Sequence, residues 1–294
     1  MPELPDVTVY IETLRTRILG QEIRGARALN PFVLRTVDPP LSAVVGKRVR
    51  TISRLGKRIV IGVDGALYVV IHLMIAGRLR WREGGKTIGG KLAQAAFEFE
   101  RGTLYLTEAG SKRRASIHVV QEADGLAQFD RGGLEVLDAD LADFASRLRS
   151  ENHTLKRSLT DPRLFSGIGN SYSDEILHRA KLSPLLLTTR LTDEQIALLF
   201  EATKATLIDW TNRLREEVGD GFPEKVTAFR EGMAVHGRYK LPCPVCGSPV
   251  QRIRYADNET NYCARCQTNG RLLADRAMSR LLKQDWPRSI DEVE

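Results

Sequence analysis

All four cysteines of this 294-residue chain lie in one short window near its carboxyl end, spaced Cys243-x2-Cys246-x16-Cys263-x2-Cys266. Two thiolate pairs on tight turns can converge to a tetrahedron, and this spacing is typical of a structural zinc site. Disulfides are the alternative, but the chain shows no secretory signal, and we expect a reducing compartment. The pattern therefore predicts one structural Zn2+ that folds a small hairpin and leaves no open position for catalysis.

The chain begins Met1-Pro2-Glu3-Leu4-Pro5-Asp6. Removal of Met1 would expose a secondary amine on Pro2, with the Glu3 carboxylate beside it. An α-amine titrates near roughly 7.7–8.0, so a fair fraction is the free base at neutral pH. Such an amine can condense with a sugar aldehyde carbon, and a neighbouring carboxylate can move protons. An ordinary chain start is the alternative, and the rest of the sequence argues against it.

The charge balance favours a polyanionic partner. Lys and Arg number 44 against 37 Asp and Glu, which gives a net charge of +7. Nucleic acid is the first candidate for such a partner, and a basic enzyme with scattered surface charge is the alternative. No apolar run is long enough to span a membrane. We expect a cytoplasmic, nucleoid-associated monomer with no membrane partner.

The pattern changes twice along the chain. Residues 7–19 predict a helix with one apolar face, which Gly20 can end. From about 22 to 120 the pattern predicts β-strands, with hairpin turns at 64–65 and 101–102. From about 138 it predicts helices, including one that begins with a capping box at Thr192 and ends near Gly219. Several short strands followed by helices predict an α+β protein whose strands form a sandwich or barrel.

The turn Gly167-Ile168-Gly169-Asn170 lies between two predicted helical segments, 151–162 and 171–180. Its glycines permit a tight turn with exposed backbone N–H groups, and a helix N-terminus follows. Together these groups predict a phosphate-binding seat, to which Asn170 adds a side-chain donor. By itself such a turn is more often a plain helix connection.

In order along the chain, these motifs resemble those of the formamidopyrimidine-DNA glycosylase/endonuclease VIII family of base-excision-repair enzymes. Four stretches carry the resemblance: residues 2–5, Gly56-Lys57, residues 167–172 and the four cysteines. The resemblance implies a β-sandwich domain over 1–130, a helix–two-turn–helix domain over 138–234 and a zinc finger over 235–270. A helical extension over 271–294 would follow.

The resemblance also implies the chemistry. Pro2 would attack C1′ of a damaged nucleotide flipped out of duplex DNA, and Glu3 would act as acid and base at the sugar. Lys57 would contact phosphate and assist, although a plain surface lysine is the alternative. Elimination at the resulting iminium would cut the strand, which is AP-lyase activity.

Further family positions that contact DNA map onto named residues. Arg163 and Asn170 would bind phosphate, and His72 would lie near DNA unless it is a structural histidine. Met74 or Ile75 would fill the space that the flipped base leaves, with a core position as the alternative. Of the paired arginines Arg113 and Arg114, one would enter the base stack. They precede Ala115, where the family usually has an aromatic wedge.

The finger departs from the family. Asn258 stands where a finger arginine usually contacts the lesion phosphate and assists the second elimination, and Asp257 and Glu259 add negative charge. Arg254 is a candidate for compensation, but an arginine is not replaced by position alone. We therefore expect weaker δ-elimination or a changed substrate choice. Beyond the finger, alternating arginines and leucines predict an amphipathic helix that packs on the finger and the helical domain, with DNA or partner contact as the alternative.

Three hypotheses follow from the sequence. The first is a DNA glycosylase with AP-lyase activity that uses Pro2, Glu3 and Lys57 on a damaged base, with oxidised bases as the expected lesions. Its partner would be double-stranded or damaged DNA, and the preference for duplex or single strand stays open. The second is a non-catalytic protein that binds damaged DNA or abasic sites on the same scaffold, which a retained Met1 would favour. The third is a zinc-finger regulator, but the sequence offers no obvious recognition helix for it.

Overall fold

The computed structural model describes residues 1–84, 86–110, 112–255, 258–274 and 287–292. The chain divides into two compact units: Met1–Arg131 with Trp210–Thr227, and Gly132–Asp209 with Ala228–Glu294. The domain limits drawn from the sequence remain predictions, because a compact unit and a domain need not coincide. None of the described helices combines the length and apolar character that a membrane crossing requires.

The first helix, α1, runs from Leu4 to Ile18 and begins three residues before the predicted start. Pro5 fits its first turn because the first helical amides need no partner within the helix. The predicted apolar face of Val7, Tyr10, Leu14 and Ile18 is fully buried. The helix therefore packs along its whole length into the core of the first unit.

Eight strands follow among the described residues of this stretch, and they form two antiparallel sheets. Their ranges are β1 (Gly25–Ala28), β2 (Val49–Leu55), β3 (Arg58–Val63), β4 (Leu67–His72), β5 (Gly77–Arg82), β6 (Ala93–Glu98), β7 (Thr103–Glu108) and β8 (Ser116–Gln121). One sheet has the order β1-β6-β7-β5 and the other β2-β3-β4-β8. The two predicted hairpins form as β3–β4 and β6–β7.

One core joins the two sheets. Ile61 and Val69 reach it from one sheet, and Leu79 and Leu106 reach it from the other, together with Leu14 of α1. Apolar residues from facing sheets that share one core define a sandwich. The α+β class and the β-sandwich with an N-terminal helix are confirmed.

The remaining elements are mostly helical. They are α2 (Asp124–Ala127), α3 (Leu141–Arg149), α4 (Leu155–Thr160), α5 (Asn170–Arg179), α6 (Asp193–Val218) and α7 (Ala264–Thr268), with β9 (Gln251–Tyr255) and β10 (Asn258–Tyr262) before α7. The predicted capping box begins α6: Gln195 N–H donates to Thr192 Oγ1 at 3.3 Å, and Thr192 N–H donates to Gln195 Oε1 at 3.1 Å. The division between the two units falls inside α6.

The start of the C-terminal extension differs from the prediction. Arg271 bridges to Ser289 in antiparallel fashion, and Leu272 N–H donates to Arg288 O at 2.9 Å, so these residues are extended rather than helical. Leu272 and Ile290 pack with Ile253 of the finger. The extension therefore packs on the finger where it is described, whereas the rest of the predicted helix, 275–286, lies outside the described residues.

Candidate active site and nucleic-acid-binding elements

The α-amine at the start of the chain lies among four charged side chains. Its pKa is lowered, mainly because the amine of Met1 is partly buried, and the positive charges of Arg78 and Lys57 act in the same direction. The carboxylates of Glu3 and Asp6 oppose this shift. Burial penalises the charged form of an amine, so the free base is populated at a lower pH than in an exposed terminus.

The first turn of α1 holds this arrangement. Glu3 and Asp6 are 2% and 4% exposed, and Glu3 N–H donates to Asp6 Oδ2 at 2.9 Å. Asp6 is the third residue of the helix, and its side chain accepts a bond from the amide of the N-cap residue. Such a bond fixes the angle at which the chain enters the helix. The sequence reasoning assigned no role to Asp6 or Arg78. The three-residue spacing from Glu3 to Asp6, which is typical of a capping box, could have indicated Asp6. The residues around Arg78 in the sequence carry no comparable signal.

Lys57 lies in the β2–β3 turn. Gly56 has φ +60°, and Arg54 Nη1 donates to Gly56 O at 2.8 Å, which closes the turn. The charge of Lys57 acts on the α-amine and also on His72, whose partner across β3–β4 is Arg58. Burial, together with the positive charges of Arg58, Lys57 and His118, lowers the pKa of His72 to about 4. His72 is therefore neutral at neutral pH.

The turn between β4 and β5, residues 73–76, is named here the wedge turn. Gly77 N–H donates to Leu73 O at 2.9 Å, and a side chain at Gly77 would meet that oxygen at 2.2 Å, so the turn requires glycine there. Met74 has φ +53° and is half-buried. Ile75 is 60% exposed, so it is the apolar side chain that this turn presents to solvent.

The segment that carries Arg113 and Arg114 is fixed by a buried carboxylate. Glu108 is 2% exposed and accepts N–H bonds from Arg114 at 2.9 Å and from Ala115 at 3.0 Å. Ala115 is 3% exposed and belongs to the sandwich core. Position 115 therefore supplies packing rather than a wedge, while Arg114 is exposed and Arg113 is half-buried.

The glycine turn of the second unit leads directly into α5. Gly167 has φ +80°, and Gly169 is the extended N-cap residue. Asn170 is engaged within the protein, because its side-chain Nδ2 donates to Glu259 O at 3.0 Å and its backbone carbonyl oxygen accepts from Lys156 Nζ at 2.6 Å. The side chain predicted to bind phosphate therefore also ties the start of α5 to β10.

Arg163 is exposed and lies in an ion pair. Its Nη2 is 2.7 Å from Asp161 Oδ2 and 3.5 Å from Glu151 Oε2. The Arg163 guanidinium, which donates to the carboxylate, lowers the pKa of Asp161. The Arg163 side chain is 56% exposed, whereas that of Asp161 is 14% exposed, so the arginine is the partner that a phosphate can reach from solvent.

The four cysteines form a zinc site. Their sulfur atoms lie within 4.8 Å of one another, and Cys243 Sγ is 3.9 Å from Cys266 Sγ. Four sulfurs held 2.3 Å from a zinc ion at tetrahedral angles lie about 3.8 Å apart, so the cluster has the right size. Gly247, with φ +78°, makes the turn after the first pair. The site holds one structural Zn2+, with no position left for a substrate.

The exposed side of the finger carries the departures from the family pattern. Arg254 and Asn258 are both exposed, and Arg254 lies opposite Glu259 in the β9–β10 pairing. Arg252 Nη1 lies 3.6 Å from Glu259 Oε2, so that carboxylate already has a cationic neighbour. Asp257 lies outside the described residues.

Two acidic residues of α5 anchor the approach to the finger, and the sequence reasoning missed both. Glu175 accepts N–H bonds from Ala234, Val235 and His236 at 2.7–2.9 Å. Asp174 Oδ1 is 2.5 Å from Lys156 Nζ, and its Oδ2 is 2.8 Å from His236 Nδ1. Burial raises the pKa of Glu175, while the backbone donors act in the opposite direction.

Comparison with known proteins gives three matches to family models. They are the formamidopyrimidine-DNA glycosylase N-terminal domain over 1–115, the H2TH domain of the same enzymes over 134–212, and a zinc finger found in FPG and IleRS over 240–269. The resemblance inferred from the motifs is therefore confirmed.

Two relatives and one solved structure illustrate the match. An uncharacterized formamidopyrimidine-DNA glycosylase-like protein of Mycobacterium tuberculosis is 44% identical over 151 residues, which are 51% of this chain and 94% of that protein. The formamidopyrimidine-DNA glycosylase of Thermus thermophilus is 32% identical and covers 92% of this chain and 100% of its own length. The crystal structure of Lactococcus lactis Fpg with DNA containing an abasic site has a TM-score of 0.79 at 25% identity, covering 90% of this chain and 99% of that one.

The matched regions follow one another in the same order as the described elements, from the sandwich through the helices to the finger. The likeness also extends over nearly the whole length of the Thermus protein. The chain belongs to the formamidopyrimidine-DNA glycosylase family of DNA-repair enzymes.

Proposed function

We propose that this protein is a bifunctional glycosylase that removes an oxidised base from duplex DNA and then cuts the strand. The observation that carries the proposal is the packing at the start of the chain: Pro2 is buried, and the Glu3 beside it is 2% exposed and is held by its N–H bond to Asp6 Oδ2 at 2.9 Å. A free amine held beside a buried carboxylate is the arrangement that Schiff-base chemistry needs. Family membership supports DNA as the substrate.

The proposed reaction begins once Met1 has been removed. The Pro2 nitrogen forms a bond to C1′ while the glycosidic bond breaks, and the base leaves with the electron pair and a proton. The amine loses its proton, the C1′–O4′ bond breaks as O4′ takes up a proton, and an iminium joins Pro2 to C1′. Loss of a C2′ proton then expels the 3′ phosphate by breaking the C3′–O bond, and water releases the enzyme. Glu3 moves protons at the sugar, and Lys57 contacts phosphate.

The DNA-binding assignments of His72, Ile75, Met74, Arg113, Arg114, Arg163, Asn170 and Arg254 belong to the same proposal. Exposure supports Ile75 over Met74 as the side chain that fills the space of the flipped base. The neutral His72 supports a hydrogen-bonding role rather than a cationic one. The monomeric state and the nucleoid location remain predictions.

Borohydride trapping on DNA with an abasic site tests the proposal. One preparation carries a removable N-terminal extension, and the same preparation is assayed before and after a protease exposes Pro2. We expect a covalent complex only after removal, because only then is the amine free. The Glu3→Gln variant should trap about 100-fold more slowly or worse, which is the usual size of an acid–base contribution.

Mass spectrometry of the N-terminus and a DNA-binding measurement accompany the assay. If the protein with an exposed Pro2 amine binds DNA but gives no covalent complex, the catalytic proposal fails and the damage-binding alternative takes its place. If the extended form traps equally well, another residue is the nucleophile.

A further inference from the structure

The end of α5 brings a buried histidine to the zinc site. His178 is the last residue but one of this helix, and its ring Nε2 lies 3.3 Å from Cys243 Sγ. The histidine is 6% exposed and the cysteine 2% exposed, so solvent does not separate them. A cysteine that binds zinc is a thiolate without a proton, so the histidine nitrogen is the donor of this bond.

The charge of the site gives such a donor a purpose. Four thiolates bring two more negative charges than one Zn2+ ion neutralises, and excess charge away from water is costly unless hydrogen-bond donors face it. Val245 N–H donates to Cys243 Sγ at 3.5 Å from within the finger. His178 adds a shorter bond to the same sulfur from a separate helix.

The histidine belongs to a polar face of α5 that holds the finger. Asp174, Glu175 and His178 are three or four residues apart, so they are neighbours on one side of the helix, and all three are buried. Asp174 Oδ2 accepts from Asn261 N–H of β10 at 3.1 Å, and Glu175 binds the amides of residues 234–236. His178 extends this row of contacts to a metal ligand.

A second link joins the same end of α5 to another ligand. Cys263 N–H donates to Gln267 Oε1 at 2.8 Å, and Gln267 Nε2 donates to Leu182 O at 2.9 Å. Leu182 lies just beyond the turn that ends α5, where Lys181 has φ +55° and Leu182 N–H donates to Leu177 O at 3.0 Å. A helix end closed in this way has a fixed course, so it is a firm support for the site.

The ligands differ in exposure in a way that matches these links. Cys243 and Cys263 are 2% and 0% exposed, whereas Cys246 is exposed. The two ligands that are tied to α5 are therefore the buried ones. The site has one side that faces α5 and another that faces solvent, and His178 acts on the buried side.

We propose that His178 is a positioning residue of the zinc site, which stabilises the Cys243 thiolate through its Nε2–H and ties metal binding to α5. A donor to a metal-bound thiolate withdraws charge from the sulfur and fixes the orientation of the ligand. This role is independent of the proposed chemistry at Pro2, because every group involved belongs to the second compact unit. Since α5 begins at the glycine turn predicted to bind phosphate, one helix joins the metal site to that turn.

Three variants of the full-length protein test this role. His178→Phe keeps an aromatic ring of similar size and removes the N–H group. His178→Gln restores an N–H donor at a similar distance from the backbone. Arg179→Gln is the matched control, because Arg179 is the next residue of α5, is exposed and pairs with Asp209 rather than with the finger.

The spectroscopic readout uses Co2+ in place of zinc. In His178→Phe the thiolate-to-cobalt charge-transfer band should move to longer wavelength, because the sulfur electrons lose the stabilising N–H group. Zinc affinity, measured by competition with a chromogenic chelator, should fall about 10- to 100-fold, the usual effect of losing a partner of a metal ligand. His178→Gln should return both quantities toward wild type, and Arg179→Gln should leave both unchanged.

The outcomes separate a donor from a side chain that only fills space. A wild-type band and wild-type affinity in His178→Phe would overturn the proposal. Equal losses of affinity in the phenylalanine and glutamine variants, with the band unmoved, would assign the effect to packing of the ring and would also overturn it.

The visible bands of tetrahedral Co2+ show whether each variant assembles the site. If His178→Phe does not assemble it, His178→Gln decides: a wild-type band supports the proposal, and failure to bind Co2+ overturns it. Because none of these measurements uses DNA, a failure of borohydride trapping leaves the result unaffected.

Discussion

Asn258, the first residue of β10, changes the charge of the finger where the family usually has an arginine. It is neutral and exposed, and the adjacent Glu259 has Arg252 as its cationic neighbour and Arg254 opposite it in the strand pairing. A guanidinium stabilises a phosphate leaving group through paired charged hydrogen bonds that an amide cannot supply. The second elimination should depend on this charge more than the first elimination does.

We therefore expect wild-type protein to accumulate the β-elimination product on abasic DNA, and Asn258→Arg to convert more of it to the δ-elimination product. The measurement is the ratio of the two cleavage products on a denaturing gel over time. Val245→Arg is the matched control, because it adds the same charge at another exposed position of the finger. Equal rates of the two eliminations in the wild type would contradict the prediction.

At this scale, the type and spacing of residues near one another in sequence predict much of the site. The zinc ligands, and the roles proposed for Pro2 and Glu3, follow from their neighbours along the chain. Arg78 and Glu175 do not, because their partners are distant in sequence: Arg78 binds Val226, and Glu175 binds the amides of residues 234–236.

Among the elements, the finger depends on both its metal and its anchors. The sulfurs of Cys243 and Cys263 are buried in a small cluster with Val235 and Val250, which is too small a core to hold the hairpin by itself. Metal binding and folding of such modules are coupled, because the unfolded chain has no preformed site. Glu175 and Asp174 hold the finger's approach to α5 through bonds that involve no cysteine.

Removal of zinc with a strong chelator should therefore unfold the finger and leave the sandwich folded. Hydrogen exchange checks this: amides of β9 and β10 should lose protection, whereas those of β3 and β4 should keep theirs. Cys246→Ala should act like the chelator, and Val245→Ala, at the exposed neighbouring position, should leave the finger protected. Retained protection of β9 and β10 without metal would show that the anchors suffice.

At the scale of the whole molecule, the net charge of +7 should make DNA binding depend strongly on salt. Each phosphate contact releases counterions, so the logarithm of affinity falls linearly with the logarithm of salt concentration. Exposed arginines such as Arg163, whose side chain is 56% exposed, are candidates for this role.

We expect Arg163→Gln to reduce the salt slope by about 1, the value for a single lost phosphate contact. Fluorescence anisotropy with an abasic-analogue duplex, measured from 50 to 200 mM salt, gives the slope. Arg24→Gln is the control, since Arg24 is also exposed and paired, with Glu100, but has no predicted DNA contact. If both variants change the slope equally, general charge rather than a specific contact controls binding.

The sequence by itself determined the parts of this protein that depend on local spacing. The zinc ligands, the buried face of α1, the hairpins β3–β4 and β6–β7 and the capping box of α6 all involve residues close together along the chain, where periodicity and side-chain chemistry are informative. The extended start of the C-terminal segment at Arg271 and Leu272 was predicted wrongly as helix. Its backbone bonds go to residues 288–289, a pairing that no local pattern shows.

Only the tertiary structure decided which distant groups meet. It brought the charges of Lys57 and Arg78 to the amine, buried Ala115 in the core and left Ile75 exposed in the wedge turn. It also placed residues 222–227 against β5. The physical reason is that sheet register and core packing determine which distant residues come into contact. Both depend on the sum of many contacts between segments far apart in the chain.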